Sequence, residues 1–262
     1  MTTFHQKKKF GQHFLNNENI ASQIVDAFNS ELTTAQALEI GPGQGVLTKY
    51  LLKNSKSELF ISEIDREIIP IIAGKFNIDA EHLIEGDFLQ MDFDKHFKGE
   101  FSIIGNFPYN ISTEIIFKII ENRQRIPMMT GMFQKEVAER IAAKHGNKTY
   151  GITSILTQVF YDVELLFIVG ENEFTPPPKV KSAVIMLKRK STIRNDFDQK
   201  FFFRIVKAGF NQRRKTLRNS LKSLLLQPDK IDQTILNKRA EQLSVDEWVD
   251  LSNKVQSLKL DI

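Results

Sequence analysis

The 262-residue sequence contains no cysteine. Disulfides, thiolate metal sites and cysteine nucleophiles are therefore excluded, and nothing points to an oxidising compartment. Long apolar runs are also missing, and no stretch approaches the roughly 20 residues of a membrane-spanning helix. The opening MTTFHQKKKF is basic, but no apolar core follows it. No secretory signal is expected, and the expected location is cytoplasmic. What remains is ordinary for a soluble globular chain: 41% hydrophobic and 26% charged residues. The length allows one large domain and a small one.

The net charge is only +4, but its distribution is uneven. From Lys200 to Lys222 there are eight basic residues (Lys200, Arg204, Lys207, Arg213, Arg214, Lys215, Arg218, Lys222) and no acidic one. Such a stripe can neutralise phosphates and release their counterions; a solvated helix face is the plainer reading.

Residues 18–28 place Ile20, Ile24, Val25 and Phe28 on one helical face, with Asn17 as N-cap. Ala37 to Ile40 reads as a strand that enters Gly41-Pro42-Gly43-Gln44-Gly45, and Val46 to Leu52 as a helix. The alternation continues. Strands are expected at 59–61, 82–84, 101–104 and 128–133, and helices at 66–75, 112–122 and 135–145. Pro70 is a difficulty if it falls beyond the first turn of its helix. Ser112 is expected to cap its helix and Gly146 to end the one before it. Segments 165–169 and 183–187 read as a closing pair of strands. Alternating βα units imply a mostly parallel sheet covered by helices, an α/β fold of Rossmann-like form. After Lys190 the pattern turns helical, at 197–210, 216–225, 231–236 and 244–258, with a capping box at Ser244-Val245-Asp246-Glu247. Two domains are expected: 1–192, α/β, and a small C-terminal all-helical domain, 193–262.

A strand passing through a glycine loop into a helix offers backbone N–H groups and a positive dipole end to a ligand. The spacing here is G-x-G-x-G. Glu63 stands at the end of the second strand, where a carboxylate can accept both hydroxyls of a ribose. Asp87 ends the third strand, where it can accept from an adenine amine. Each acid alone is most often a solvated loop carboxylate. Together, after such a loop, they point to adenosine binding, which a nicotinamide dehydrogenase would share.

The fourth strand discriminates. It ends in Gly105-Asn106-Phe107-Pro108-Tyr109. An exocyclic adenine amine is a weak nucleophile, because its lone pair is conjugated with the ring. Two acceptors on its N–H groups favour a pyramidal nitrogen. Asn106 supplies a side-chain carbonyl and Phe107 a backbone one. Pro108 holds Phe107 extended. Tyr109 offers a face for a flipped-out base, worth about 1–3 kcal/mol. No strong general base is required, since the methylated amine is acidic while cationic. Read alone, Asn-Phe-Pro-Tyr is a turn after a strand. Its position on the cofactor edge of the sheet makes it a target-base pocket.

Seven ordered segments resemble the ribosomal RNA adenine dimethyltransferase family, in its KsgA/RsmA branch. They are Lys9 to Leu15, Glu39 to Gly43, Ile61 to Asp65, Gly86-Asp87, Gly105 to Ser112, Phe174 to Val184 and Phe210 to Leu217. The resemblance implies a methyltransferase that uses S-adenosylmethionine to dimethylate two adjacent adenines near the 3′ end of small-subunit ribosomal RNA, in immature small subunits, without metal or membrane. It also implies cofactor contacts at His13, Leu15, Gly41, Gly43, Glu63, Asp87 and Asn106, with Asn106, Phe107, Pro108 and Tyr109 catalytic. RNA contacts are implied at Arg213, Arg214, Lys215 and Arg218, and expected at Lys7, Lys8 and Lys9. Two positions depart from the commonest pattern: Phe107 replaces a leucine, and His13 an asparagine. The stiff Thr175 to Lys179 stretch either walls the base pocket or links strands. The alternative within the class is an Erm-type methylase of large-subunit RNA. The Phe174–Val184 and Arg213-Arg214-Lys215 matches favour the small-subunit branch.

Overall fold

The computed structural model describes residues 13–192 and 194–260. Lys7, Lys8 and Lys9 lie outside the described residues. The chain forms two compact units, Met1–Ala138 with Val163–Arg189, and Glu139–Asp162 with Lys190–Ile262.

The first unit holds most of the sheet. Its elements run β1 (Phe14–Leu15), α1 (Glu18–Glu31), β2 (Gln36–Ile40), α2 (Val46–Asn54), β3 (Glu58–Glu63), α3 (Ile68–Phe76), β4 (Leu83–Glu85), β5 (Phe101–Asn106), α4 (Ser112–Glu121) and β6 (Met128–Gln134). Later in the chain come β7 (Tyr161–Val169), β8 (Phe174–Thr175) and β9 (Ser182–Arg189). Strand order is β4-β3-β2-β5-β6-β9-β7. The first five are parallel, and β9 runs antiparallel to β6. The order reverses between β2 and β5, so the carboxyl ends of these strands diverge there and leave a crevice.

Local sequence explains much of this. Asn17 caps α1, accepting from the N–H groups of Asn19 and Ile20 at 3.0 and 3.2 Å. That helix buries Ala21, Ile24, Val25 and Phe28, one face at helical spacing. Glu67 is the N-cap of α3, so Pro70 is its third residue, where a missing N–H costs no helical bond. Ser112 differs from expectation. Ile111 is the N-cap, and the Ser112 hydroxyl instead donates back to the Pro108 and Tyr109 carbonyls at 3.2 Å each. Strands β1 and β8 had no periodic signal. Two residues long, they exist because they pair with each other, Phe14 opposite Thr175 and Leu15 opposite Phe174.

In the second unit, α6 (Ile152–Gln158) precedes β7, in a stretch where no helix was expected. The preceding α5 (Lys135–Ala142) ends earlier than residue 145. Gly146 follows at φ +83°, its N–H bonded to the Glu241 carbonyl at 2.7 Å. Helices α7 (Gln199–Phe210), α8 (Leu217–Ser220), α9 (Gln233–Asn237) and α10 (Val245–Leu260) complete it. The expected helix 216–225 shrinks to four residues: Thr216 pairs with Arg239 in an isolated bridge and the Leu217 N–H bonds the Lys238 carbonyl at 2.8 Å, which sets its start, and beyond Ser220 the chain continues in turns. The Ser244–Glu247 capping box is present, with bonds of 2.8 and 3.2 Å. Trp248, the single tryptophan, is fully buried against Gly209, where a Cβ would lie 2.4 Å from its ring.

Candidate active site

The crevice at the carboxyl ends of β2, β3, β4 and β5 opens into one cleft of ≈ 950 Å³, counted out to its mouth. His13, Leu15, Gly41, Gly43, Glu63, Asp87, Asn106, Phe107, Pro108 and Tyr109 all line it. Every cofactor and base residue expected from sequence thus meets at one place, though they span nearly a hundred positions of chain.

The glycine loop forms its floor. Gly41 and Gly43 have φ of +67° and +54°, which side-chain-bearing residues adopt at a cost. The Gly41 N–H is anchored to the Ser62 carbonyl at 2.9 Å, and a Cβ on Gly41 would meet only open space. The loop is therefore open on its cleft side. At Gly43 a Cβ would lie 2.9 Å from Phe14, which lines the same cleft.

Two carboxylates are sunk in this wall. Glu63, 6% exposed, accepts the Asp65 N–H at 2.8 Å. Burial raises its pKa, opposed by N–H donors from Asp65, Ile64 and Gly43. Glu39 is more deeply buried and accepts the Thr48 hydroxyl at 2.7 Å. Its pKa is pushed up to about 7, chiefly by burial. Sequence reading assigned it no role; its position two residues before Gly41 on a strand entering the loop is the signal that could have found it. Asp87 uses one oxygen on the Leu89 N–H at 2.9 Å, and a carboxylate has lone pairs to spare. Ser62, Ile64 and Phe88 also line the cleft without having been singled out.

At the other end the Asn106 Nδ2 donates to the His13 backbone carbonyl at 3.0 Å. That bond fixes which end of the amide is oxygen, the ambiguity that usually attends asparagine. The Phe107 N–H bonds the Met132 carbonyl at 3.2 Å, and its side chain is buried against Phe133, ring centroids 5.0 Å apart. Tyr109 is half-buried, hydrogen-bonded to Ser182 at 2.6 Å, and burial raises its pKa. Its ring stacks on the His13 imidazole at 5.3 Å and 26°. The His13 Nδ1 in turn lies 2.9 Å from the Pro176 carbonyl. Neither the Ser182 nor the Pro176 contact has a local sequence signature, because both arise from residues more than 70 positions away.

The basic residues belong to the other unit. Arg213, Arg214 and Lys215 lie in the turn between α7 and α8, exposed. Arg213 is partly engaged: its Nη2 donates to the Lys148 and Tyr150 carbonyls at 2.7 and 3.0 Å, and its guanidinium lies over Phe210. Lys200, Arg204 and Lys207 share a shallow depression with Phe203 on α7.

An α/β sheet with its cleft at the switch point, a glycine loop, strand-end acids and an Asn-Phe-Pro-Tyr turn define a nucleoside-directed methyltransferase site. The ribosomal RNA adenine dimethylase family profile matches residues 3–257, and the chain belongs to that family. It is 56% identical over 247 residues to the ribosomal RNA small subunit methyltransferase A of Cytophaga hutchinsonii, covering 94% of this chain and 96% of that one. The same-named protein of Flavobacterium johnsoniae is 49% identical over 252 residues, 96% of each chain. Among solved structures, a dimethyladenosine transferase from Plasmodium falciparum superposes with a TM-score of 0.76 at 26% identity, covering 93% of this chain and 98% of that one. The 23S rRNA methyltransferase ErmE gives 0.72 at 20% identity over 93% and 99% of the two chains, a likeness of fold. Among the described residues no helix is long and apolar enough to cross a membrane.

Proposed function

We propose that this chain dimethylates the N6 amines of two adjacent adenines near the 3′ end of small-subunit ribosomal RNA, acting on immature small subunits in the cytoplasm. The methyl donor in this reading is S-adenosylmethionine, which when bound supplies a methyl group on a sulfonium. The donor set suits it. The Gly41–Gly43 floor admits backbone approach, Glu63 suits the ribose hydroxyls, and Asp87 has acceptor capacity left for an adenine amine. His13 and Leu15 close the N-terminal side of the same cleft.

The observation that carries the reading is the Asn106 amide. With Nδ2 committed to the His13 carbonyl, its Oδ1 serves as acceptor. Asn106 Oδ1 and the Phe107 carbonyl then take the two N–H groups of the target amine. With both N–H groups so held the nitrogen lone pair would be freed from the ring to take the methyl group, the bound sulfonium would supply that methyl and be left as its thioether, and the amine proton would leave to water. Tyr109 stacks the base, and Pro108 holds the backbone that presents the Phe107 carbonyl. After one transfer a single N–H remains, and one of the two acceptors would hold it for the second.

The proposed division of labour is a catalytic domain over 1–192 and an RNA-holding helical domain over 193–262. Arg214, Lys215 and Arg218 would meet phosphates there, and Arg213 with them through the part of its guanidinium not spent on carbonyls.

The test is labelled methyl transfer to undermethylated small subunits, with modified adenines mapped. Incorporation at two adjacent adenines is expected. Labelling of large-subunit RNA instead would replace this substrate by that of the Erm type.

A further inference from the structure

His13 touches two residues of the proposed acceptor pocket and the Pro176 segment. Its backbone carbonyl takes the Asn106 amide, its imidazole stacks on Tyr109, and its Nδ1 meets the Pro176 carbonyl. The adjoining backbone is held as well. β1 pairs with β8, the Asn16 N–H bonds the Glu173 carbonyl at 2.8 Å, and the Asn17 Nδ2 bonds the Glu173 carboxylate at 2.7 Å. The imidazole's ring and nitrogen contacts therefore go to Tyr109 and the proline segment, while only the backbone of His13 serves Asn106.

We infer that the His13 side chain is a positioning residue for the acceptor adenine: it braces Tyr109 against the Pro176 segment and sets the plane on which the target base stacks. This rests on reading Asn106 to Tyr109 as the acceptor pocket, and it reassigns the imidazole from the cofactor to the base. An asparagine here could still bond Pro176 but has no ring to offer Tyr109. Tyr109 is thus pinned from two sides, by Ser182 at its hydroxyl and by His13 at its face. A stacking platform fixed before the base arrives loses less side-chain freedom on binding.

Three substitutions separate the contributions, because none alters the backbone carbonyl that holds Asn106. His13→Phe keeps a ring and loses the Pro176 bond. His13→Asn keeps a polar group and loses the ring. His13→Ala loses both. For each, kcat and KM are measured on undermethylated small subunits, and S-adenosylhomocysteine affinity by calorimetry. His13→Ala is expected to lower kcat/KM about three- to tenfold, the worth of one stacking contact, with cofactor-product affinity within about twofold of the parent. His13→Phe should retain more activity than His13→Ala. Cofactor affinity falling in step with kcat/KM, an unchanged kcat/KM in His13→Ala, or equal losses in His13→Phe and His13→Ala would each overturn the inference.

A readout independent of activity keeps it apart from the substrate assignment. The His13 ring protons should carry an upfield ring-current shift in the nuclear magnetic resonance spectrum that disappears in Tyr109→Leu. Its absence in the parent overturns the stack itself. Parent protein that shows the shift but fails to methylate small subunits defeats the substrate reading.

Discussion

Gly131 is kept bare by Phe107: a Cβ on Gly131 would lie 2.0 Å from the Phe107 ring. Gly131 pairs across the strands with Gly105, whose own Cβ would lie 2.7 Å from the same ring. Two cross-strand glycines thus make a slot on β5 and β6 that accommodates the Phe107 ring. Gly131→Ala is expected to destabilise the protein by about 1–3 kcal/mol through overpacking, read as a lowered unfolding midpoint in denaturant. Adding Phe107→Leu should recover part of that loss. A double variant no more stable than Gly131→Ala alone would show that the ring is not the cause.

Asn106→Ala should abolish methylation while leaving RNA affinity within a few-fold, because the lost acceptor acts on the reacting amine. Filter binding alongside labelled methyl transfer checks this. Full activity would remove Asn106 from its proposed role.

Glu63→Ala should weaken S-adenosylhomocysteine binding by about 10- to 100-fold, the worth of hydrogen bonds to a charged acceptor. Calorimetry on the Glu63 and Asp87 variants measures this, with NAD as the control ligand. Stabilisation by NAD but not by the homocysteine compound would favour a dehydrogenase.

Glu39 gives a pH signature. Its folded-state pKa is raised from 4.5 to about 7. The folded form therefore holds the proton more tightly than the unfolded chain. The stability this contributes is complete below about pH 4.5 and is lost as pH rises towards 7. Glu39→Gln cannot ionise and keeps a polar group beside Thr48. Across that window the parent should lose thermal stability relative to Glu39→Gln. Parallel curves from pH 4.5 to 7.5 would show that Glu39 does not titrate there.

The basic turn separates by salt dependence. Arg214→Ala and Arg218→Ala should each reduce the salt slope of RNA binding by about one. Arg213→Ala should also lower stability by about 0.5–1.5 kcal/mol, because its guanidinium holds the Lys148 and Tyr150 carbonyls. Unchanged slopes for Arg214 in the turn and Arg218 on α8 would return both to an ordinary solvated surface.

The sequence by itself determined the βα alternation, the glycine loop, the strand-end acids and the Asn-Phe-Pro-Tyr turn. Each is a matter of neighbouring residues: hydrophobic period, positive φ at glycine, a cap within one turn. It also determined Asn17 and Ser244 as caps, because capping is local. Only the tertiary structure decided what depends on distant partners. Strands β1 and β8 exist through each other, the start of the helix at Leu217 is set by the pairing of Thr216 with Arg239, and Arg213 is held by the loop at 148–150. The same holds for His13. Its place in the motif suggested the cofactor, but Asn106, Tyr109 and Pro176 lie 93 to 163 positions away in sequence. Side-chain direction across such separations is set by packing, which no local pattern encodes.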